Sequence, residues 1–203
     1  MLTDLRDLLL HPSAFFSRIG SGQSDLIVPI IIVFFIGVAG FVSNILYIYA
    51  EGSVPMDASS LLPGLLSLVA RSFTDWILVF VILYLAARVL SGSGTLIKTV
   101  QVSGYGMLPF AILPVAGLTV NLAYLPLRQQ IYSFGSVRYA FPVHYPIVSF
   151  FVWCLFYFWS SYLLMIGIRH SHQVSTGKAV IAVFAVFFVF IVMMYGRAYG
   201  ILF

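Results

Sequence analysis

Five long runs of apolar residues, separated by short polar segments, dominate the pattern of this chain. The runs cover residues 26–50, 61–90, 100–125, 143–168 and 179–202, and the first contains no charged side chain. An α-helix of about 20 apolar residues crosses the hydrocarbon core of a bilayer, so each run is long enough. The pattern predicts an all-α fold, a polytopic transmembrane helix bundle of about five spans.

The polar segment before the first run, residues 1–25, has an apolar periodicity of its own. Phe15 and Phe16 fit one face of a short amphipathic helix, and Pro12 fits its first position. Such a helix lies along a membrane surface. We expect one membrane domain over residues 1–203, with residues 1–25 as a short cytoplasmic or interfacial segment. A loosely ordered tail is the alternative.

The third run contains residues that interrupt helices. Gly104, Gly106, Pro109 and Pro114 all fall inside it. Each proline removes a backbone donor and bends the helix. The freed carbonyl groups are tolerated in a membrane only where neighbouring helices or water satisfy them. We therefore expect the third span to pack among its neighbours.

Composition excludes a soluble domain. The chain is 62% hydrophobic and 8% charged, with a mean hydropathy of +1.07, whereas a soluble domain carries about 25% charged residues. The net charge of +4 does not indicate nucleic-acid binding. All six acids lie within the first 75 residues, and the bases are mostly scattered at the ends of apolar runs. Membrane lipids are expected partners, and nucleic acid is not.

The distribution of bases predicts the orientation. With a cytoplasmic N-terminus, the inside segments hold six bases and the outside segments three. The inside bases are Arg6, Arg18, Arg88, Lys98, Arg169 and Lys178, and the outside ones are Arg128, Arg138 and Arg197. Because cytoplasmic segments carry the excess of Lys and Arg, we expect a multi-pass cell-membrane protein with its N-terminus inside and its C-terminus outside.

Three motifs resemble those of a known family. A glycine turn precedes the third run and leads into a G-Y-x-x-x-P pattern; its residues are Gly92, Gly94, Gly104, Tyr105, Pro109 and Pro114. The segment from His11 to Phe16 has the form P-x-x-F-F from its proline onward, and Asp25 to Pro29 is similar to a D-L-Y-G-P signature. These motifs resemble the Ypt-interacting-protein (YIP) family, the second in its prokaryotic-type members.

The resemblance implies an architecture more than an activity. Members have five spans and a cytoplasmic N-terminus. Eukaryotic members bind prenylated Rab GTPases, associate with each other and act in vesicle traffic, and these members have a long cytoplasmic N-terminal domain. The present chain has about 25 residues before its first span. Prokaryotic members have no settled biochemical activity, so the resemblance does not imply one here.

Two charges inside the second run are the strongest local signal. Arg71 and Asp75 are four residues apart, so a helix places them on the same side, about one turn from each other. A charge at bilayer depth costs roughly 2.5–3.5 kcal/mol on insertion scales and usually marks a polar interior or a pathway. Two hypotheses stay open: a structural ion pair that lets the helix insert, and a role in transport or ligand binding.

Polar groups of the spans fall at similar depth in the outer half under this topology. They form a candidate intramembrane cluster of Asn44, Arg71, Asp75, Asn121 and Arg197, and His144 opens the fourth run on the same side. The arrangement predicts an outward-facing polar vestibule or an outer hydrogen-bonded network. Coincidence is the alternative, because the ends of spans are always more polar.

Residues that could carry catalysis do not form a known pattern. The sequence has no HExxH, Walker, dinucleotide-binding or G-x-S-x-G motif. Cys154 is expected to be a packing residue inside an apolar run. His170 and His172 are expected in a solvated loop with Arg169 and Lys178. The sequence thus predicts no enzyme, no cofactor and no metal site.

The function predicted from the sequence is contact rather than catalysis. We expect a non-enzymatic YIP-like membrane protein that acts through helix–helix contacts with itself or with membrane partners, in membrane organisation or trafficking. It would form a homo- or hetero-oligomer through its membrane helices. The alternative is a small transporter, channel or lipid-moving protein that uses the outward-facing vestibule. Polar groups that continue to the inner side would favour that alternative.

Overall fold

The helices begin and end close to the predicted apolar runs. The structure is a computed structural model that describes residues 2–22, 25–51, 57–127, 129–133, 136–140 and 144–198. Its helices are α1 (Leu2–Leu10), α2 (Pro12–Ser21), α3 (Ile27–Glu51), α4 (Ala58–Val89), α5 (Leu96–Gly106), α6 (Leu108–Tyr124), α7 (His144–His172) and α8 (Thr176–Ala198). A short 3-10 helix, Leu125–Leu127, follows α6.

Four segments are long and apolar enough to cross a membrane. They are Ile27–Ala50, Ser59–Val89, Leu96–Leu127 and Pro146–His172. The first four predicted spans coincide with them, so a multi-span helical membrane protein is confirmed. In α8 the apolar stretch Thr176–Phe190 is shorter than a span. The count of five spans therefore stays a prediction.

The helices pack around α3, α5 and α7. Helix α3 contacts α4, α5 and α6, helix α7 contacts α2, α5, α6 and α8, and α8 also contacts α4. We call the end of the bundle that carries α2, the α4–α5 turn and the α7–α8 turn the α2 side. The opposite end carries the connection between α6 and α7 and is called the hairpin side.

A β-hairpin replaces part of the expected polar loop at residues 127–142. Strand β1 (Gln129–Ser133) pairs antiparallel with β2 (Ser136–Ala140), from Gln129 opposite Ala140 to Ser133 opposite Ser136. Both strands contain β-branched and aromatic residues, which favour extended backbone. The predicted all-α bundle is confirmed, because every membrane-length segment is helical and the hairpin lies in the connection between α6 and α7. Arg128, predicted on the outside, lies outside the described residues.

The N-terminal helices belong to the bundle. Helix α2 begins at Pro12, as predicted. Leu8, Phe15 and Phe16 are at most 2% exposed, and α2 packs along α7. The alternative of a loosely ordered tail is therefore wrong for the described part of the segment, because its apolar side chains are part of the core.

The fourth span continues further than predicted. Arg169, His170 and His172 lie in the last turn of α7 rather than in a loop. Only three residues, 173–175, separate α7 from α8. His172 is 0% exposed, so the expected solvated position of this histidine is wrong. It is covered by the α4–α5 turn, which packs against the end of α7.

Candidate functional site

The turn between α4 and α5 rests directly on the C-terminal end of α7. The backbone N–H of Ser93 donates to the carbonyl oxygen of His172 at 3.0 Å. A Cβ atom on Gly92 would lie 3.0 Å from the Cβ of His172, and one on Gly94 would lie 2.5 Å from the carbonyl oxygen of Ser171. The glycines of the family-like motif are thus required for close approach of two backbones.

His172 joins this turn to the first turns of α5. Its Nε2 lies 2.7 Å from Thr99 Oγ1. The Thr99 hydroxyl is also 3.1 Å from the carbonyl oxygen of Thr95, and a hydroxyl that donates there keeps its lone pairs for an Nε2–H donor. Nδ1 is buried against the glycines and has no hydrogen-bond partner among the described residues. His172 of α7 thus contacts both the α4–α5 turn and α5.

Two lysines cap the C-terminal ends of helices on the α2 side. Lys98 Nζ donates to the carbonyl oxygen of Gly20 at the end of α2. Lys178 Nζ donates to the carbonyl oxygen of Leu90, just after α4, at 2.8 Å. The last carbonyl groups of a helix lack intrahelical partners and carry partial negative charge. Both lysines therefore bind where the backbone is most electronegative and hold neighbouring elements in place.

Helix α5 is buried on the α2 side through the G-Y-x-x-x-P motif. A Cβ on Gly104 would lie 2.5 Å from the Cβ of Pro29 in α3. The ring of Tyr105 packs edge-on against Phe15 of α2, with centroids 4.9 Å apart. One glycine and one aromatic residue thus bring α3 and α2 against the same helix.

The predicted interruption of the third span is a break between α5 and α6 at Met107. The Phe110 backbone N–H donates to the carbonyl oxygen of Met107 at 2.9 Å, three residues back instead of the four of an α-helix. This leaves the Gly106 carbonyl oxygen without its helical donor, and Ser160 Oγ of α7 donates to it at 2.7 Å. Pro109 lies in the first turn of α6, whereas Pro114 lies within that helix. A neighbouring helix satisfies the freed group, as expected from the sequence.

Helix α4 is attached by two hydrogen bonds at about the level of this break. Trp76 Nε1 donates to Ser103 Oγ of α5 at 2.8 Å. Ser72 Oγ lies 3.0 Å from the carbonyl oxygen of Val33 in α3. Both serines and the tryptophan are at most 6% exposed. These bonds fix the depth of α4 relative to α3 and α5.

The Arg71–Asp75 pair lies near the middle of α4. Thirteen residues of the helix precede Arg71 and fourteen follow Asp75. Arg71 Nε is 3.9 Å from Asp75 Oδ2, and the side chains are 63% and 26% exposed. The two charges are close, but this distance is longer than a hydrogen bond. Asp75 has a further interaction beyond this pair.

Asn44 occupies a different depth from the pair. Arg71 adjoins Ser72, which is level with Val33, and Asn44 lies eleven residues further along α3. At 1.5 Å per residue the separation is about 16 Å towards the hairpin side. Asn44 is exposed and helps to line a recess of ≈ 170 Å³ between α3 and α4. The recess is lined by Phe41, Asn44, Ile45, Gly64, Ser67 and Leu68.

The other members of the predicted cluster lie on three further helices. Half-buried Asn121 is in α6, three residues before its end, and His144 is the first residue of α7. Arg197 is in α8, and its side chain lies outside what the structure describes. Arg71 is nineteen residues before Leu90 and Arg197 nineteen after Lys178. Since α4 and α8 are packed neighbours that run in opposite directions, Arg197 falls at about the depth of Arg71.

The structure therefore brings the residues of the family-like motif closer together than those of the candidate intramembrane cluster. The motif glycines and Tyr105 converge on the α2 side, whereas the hairpin-side residues occupy two depths. Sequence reasoning missed Thr99, Ser160 and His172, each of which joins helices through its side chain. No local signal identified them, because their partners are more than fifty residues away along the chain.

The described residues contain no group of three or more potential metal ligands.

A family model described as the Yip1 domain matches residues 6–196 of the chain. No curated protein and no solved structure matches it. The matched range contains the glycine turn, the break between α5 and α6, and Asn44, Arg71, Asp75 and Asn121, and it ends one residue before Arg197. The resemblance inferred from the motifs is thus confirmed, and the chain belongs to the Yip1 family.

Proposed function

We propose that this Yip1-family membrane protein is non-enzymatic and acts through helix–helix contacts with itself or with membrane partners, in membrane organisation or trafficking. The observation that carries the proposal is the close packing of the α2 side. Backbones approach there without room for a methyl group at Gly94 and Gly104. At the break between α5 and α6, Ser103 and Ser160 are buried and make hydrogen bonds between helices. Such an interior favours a rigid scaffold over a pathway.

The surface available for contacts is broad and aromatic on α7. Phe151, Leu155, Phe158 and Tyr162 lie at helical spacing and are 66%, 64%, 75% and 49% exposed. Large aromatic side chains supply much of the contact energy where two proteins pack together. This face of α7 is therefore the surface on which we expect partner helices.

A pair of photo-crosslinking variants tests this proposal. A photo-reactive phenylalanine analogue is placed at Phe158, or at Phe156, which is only 8% exposed on the same helix. After irradiation of native membranes, we expect Phe158 variants to form adducts of defined protein mass and Phe156 variants to form none. Mass spectrometry then identifies the partner as a second copy or another protein. Lipid adducts alone at position 158 would contradict the proposal.

Five spans with the N-terminus inside are part of the same proposal. The support is the six-to-three distribution of bases and the helical course of α8 as far as Ala198. In a Cys154→Ser background, Asp57→Cys should react with an impermeant thiol reagent on intact cells, and Ser91→Cys should not. The reverse labelling pattern would overturn the orientation.

A small transporter, channel or lipid-moving protein is the alternative, favoured by the recess beside Asn44. The outward face of α4 argues against a continuous path. It is polar at Thr74, but its next exposed positions towards the α2 side are Ile77, Val81 and Leu85. Flux of an ion or lipid through liposomes that contain the purified protein, and not through empty ones, would establish the alternative.

A further inference from the structure

The turn between α4 and α5 encloses a titratable side chain that the proposed function does not use. His172, the last residue of α7, is 0% exposed. A Cβ atom on Gly94 would lie 2.7 Å from its Nδ1, and one on Gly92 would lie 3.1 Å from the same atom. Glycine backbone therefore closes the space around the imidazole and leaves no room for an additional group.

The two ring nitrogens of His172 suit a neutral imidazole and not an imidazolium ion. Nε2 lies 2.7 Å from Thr99 Oγ1, whereas Nδ1 is buried and has no hydrogen-bond partner among the described residues. The imidazolium ion carries a proton on each nitrogen, so its Nδ1–H would be buried without an acceptor. A buried donor without a partner is costly, and a buried charge without a partner is more costly still.

The charged groups around His172 are mainly bases. Arg88 of α4 is the charged group that acts on the imidazole. Of the acids described on this side, Asp7 pairs with Arg18 at 3.0 Å, and Asp25 accepts a backbone N–H at the start of α3 at 2.9 Å. The other titratable groups of the elements packed here are His11 before α2, Tyr84 on α4, Lys98 on α5, Arg169 and His170 on α7, and Lys178 on α8. No described group therefore offers the imidazolium a counter-ion.

We propose that protonation of His172 opens the α4–α5 turn, so that the packing of α5 responds to the pH on the α2 side. The added proton stabilises the open form, in which water reaches both ring nitrogens. The next residue, Gln173, is exposed, so the imidazole lies close to solvent. Histidine is the side chain whose ordinary pKa places its change of charge between about pH 5 and pH 8.

The direction and the size of the response follow from proton linkage. The open form takes up a proton near the ordinary histidine pKa of about 6.5, whereas the closed form holds the neutral imidazole. The closed turn therefore has its full stability above about pH 6.5 and loses stability as the pH falls below that value. One proton changes the ratio of closed to open turns by at most about tenfold per pH unit.

Opening of the turn affects the helices that α5 holds. The Ser93 backbone N–H leaves the carbonyl oxygen of His172, and the Thr99 hydroxyl leaves Nε2. Both contacts hold the start of α5 against α7. Further along α5, Gly104 packs against α3 and Tyr105 packs against α2. Acidification on the α2 side therefore loosens the helix against which α2 and α3 pack.

Hydrogen exchange of the detergent-purified full chain tests the switch. The Ser93 N–H donates to the carbonyl oxygen of His172 and reports closure of the turn, whereas the Phe110 N–H donates to that of Met107 and reports the integrity of the bundle. Protection factors are corrected for the intrinsic exchange rate at each pH. Between about pH 7.5 and about pH 5.5, we expect the protection of Ser93 to fall about tenfold and that of Phe110 to change less than about twofold.

Two results would overturn the proposal at this stage. A protection factor of Ser93 that does not depend on pH would show that the turn does not open on protonation. An equal fall at Phe110 would show acid unfolding of the whole bundle. Carboxylates have ordinary pKa values of about 4 and titrate below this range of pH.

Two variants assign the response to one histidine. His172→Gln takes up no proton, and its amide can still donate to Thr99, so the protection of Ser93 should no longer depend on pH. His170→Gln changes the neighbouring histidine, whose Nε2 lies 3.0 Å from Ser13 Oγ, and should retain a fall of about tenfold. Dependence that persists in His172→Gln, or that disappears in His170→Gln, would contradict the proposal.

A chain whose only histidine is His172 remains informative if His172→Gln fails to fold. It combines His11→Gln, His144→Gln and His170→Gln, and the protection of Ser93 should again fall about tenfold over the same range of pH. A constant protection factor in this variant would overturn the proposal, because another histidine would then be the sensor.

Discussion

Polar side chains are buried on the α2 side of the bundle, whereas some are exposed from the middle of α4 towards the hairpin side. On the α2 side, Thr99 and His172 are buried and hydrogen-bonded to each other between α5 and α7, and Ser160 is buried and bonded to α5 at the level of the break. On the hairpin side, Asn44 and Arg71 are exposed on the outer surface. In water both arrangements are common, but in a bilayer an exposed polar group faces hydrocarbon and needs a partner. The contrast separates polar groups that join helices of the chain from polar groups on its outer surface.

The glycines differ in the same direction. A Cβ on Gly94 or Gly104 would meet other atoms at 2.5 Å, whereas one on Gly40 or Gly117 would have nothing within 4 Å. Close backbone approach is what stabilises helices in membranes, since lipid removes most of the hydrophobic driving force between them. Gly94 and Gly104 therefore mark two close contacts that stabilise the bundle on the α2 side.

Truncating Phe16, the buried aromatic residue by which α2 packs on α7, should lower the stability of the protein more than any other change considered. Phe16 is 0% exposed and touches the position of Gly167 in α7. Phe16→Ala should lower the free energy of unfolding by about 3–5 kcal/mol, the usual cost of truncating a buried aromatic side chain. Thermal unfolding of the detergent-solubilised protein measures it.

The matched control is Phe151→Ala, which truncates a side chain that is 66% exposed in the hairpin-side half of α7. It should change the free energy of unfolding by less than about 0.5 kcal/mol. Equal losses for the two variants would mean that α2 is not an integral part of the bundle.

Adding a single methyl group at a glycine of the third span should change the free energy of unfolding by a smaller amount. Gly104→Ala places a Cβ 2.5 Å from Pro29 and should cost about 1–3 kcal/mol through overpacking. Gly117→Ala enters open space and should stabilise the protein by up to about 1 kcal/mol, because alanine favours helix over glycine. Denaturation of both variants in the same detergent measures the difference. The same sign for both would contradict the division into two halves.

The sequence predicted the elements better than their contacts. Apolar runs located four spans, Pro12 located the start of α2, and the glycines and prolines of the third run predicted an irregular helix there, without the position of its break. Each of these follows from residues close together in the chain. The burial of His172 was not predicted, because Arg169 and His170 beside it give the segment the polarity of a loop. Its cover is the turn at Gly92 and Gly94, about eighty residues earlier.

The hairpin-side cluster was predicted only as a set of polar residues. Their common depth was inferred from span ends, and the register of α3 against α4 follows instead from Ser72 and Val33. Packing between helices sets that register, and local sequence does not report it. The recess beside Asn44 was likewise not foreseen, since it depends on Gly64 in the facing helix.

The smallest expected effect is the coupling free energy between Arg71 and Asp75. The Nε–Oδ2 distance of 3.9 Å is too long for a hydrogen bond. Even hydrogen-bonded side chains within membranes couple by only about 0.6 kcal/mol on average, whereas breaking a fully buried ion pair costs about 3–5 kcal/mol. In a double-mutant cycle of Asp75→Asn with Arg71→Gln, we expect a coupling energy of about 1 kcal/mol or less from thermal unfolding.

Two further cycles sharpen this result. Asp75→Asn with Arg88→Gln should be additive, because those residues are thirteen positions apart on one helix. Asp75→Asn with Arg197→Gln tests the arginine that the register of α8 places at the same depth. A coupling above about 3 kcal/mol with Arg71 would mean that the pair is enclosed within the folded protein. The exposed, polar character assigned to the hairpin side would then be wrong at its centre, and Arg71 would have no need of a partner outside the chain.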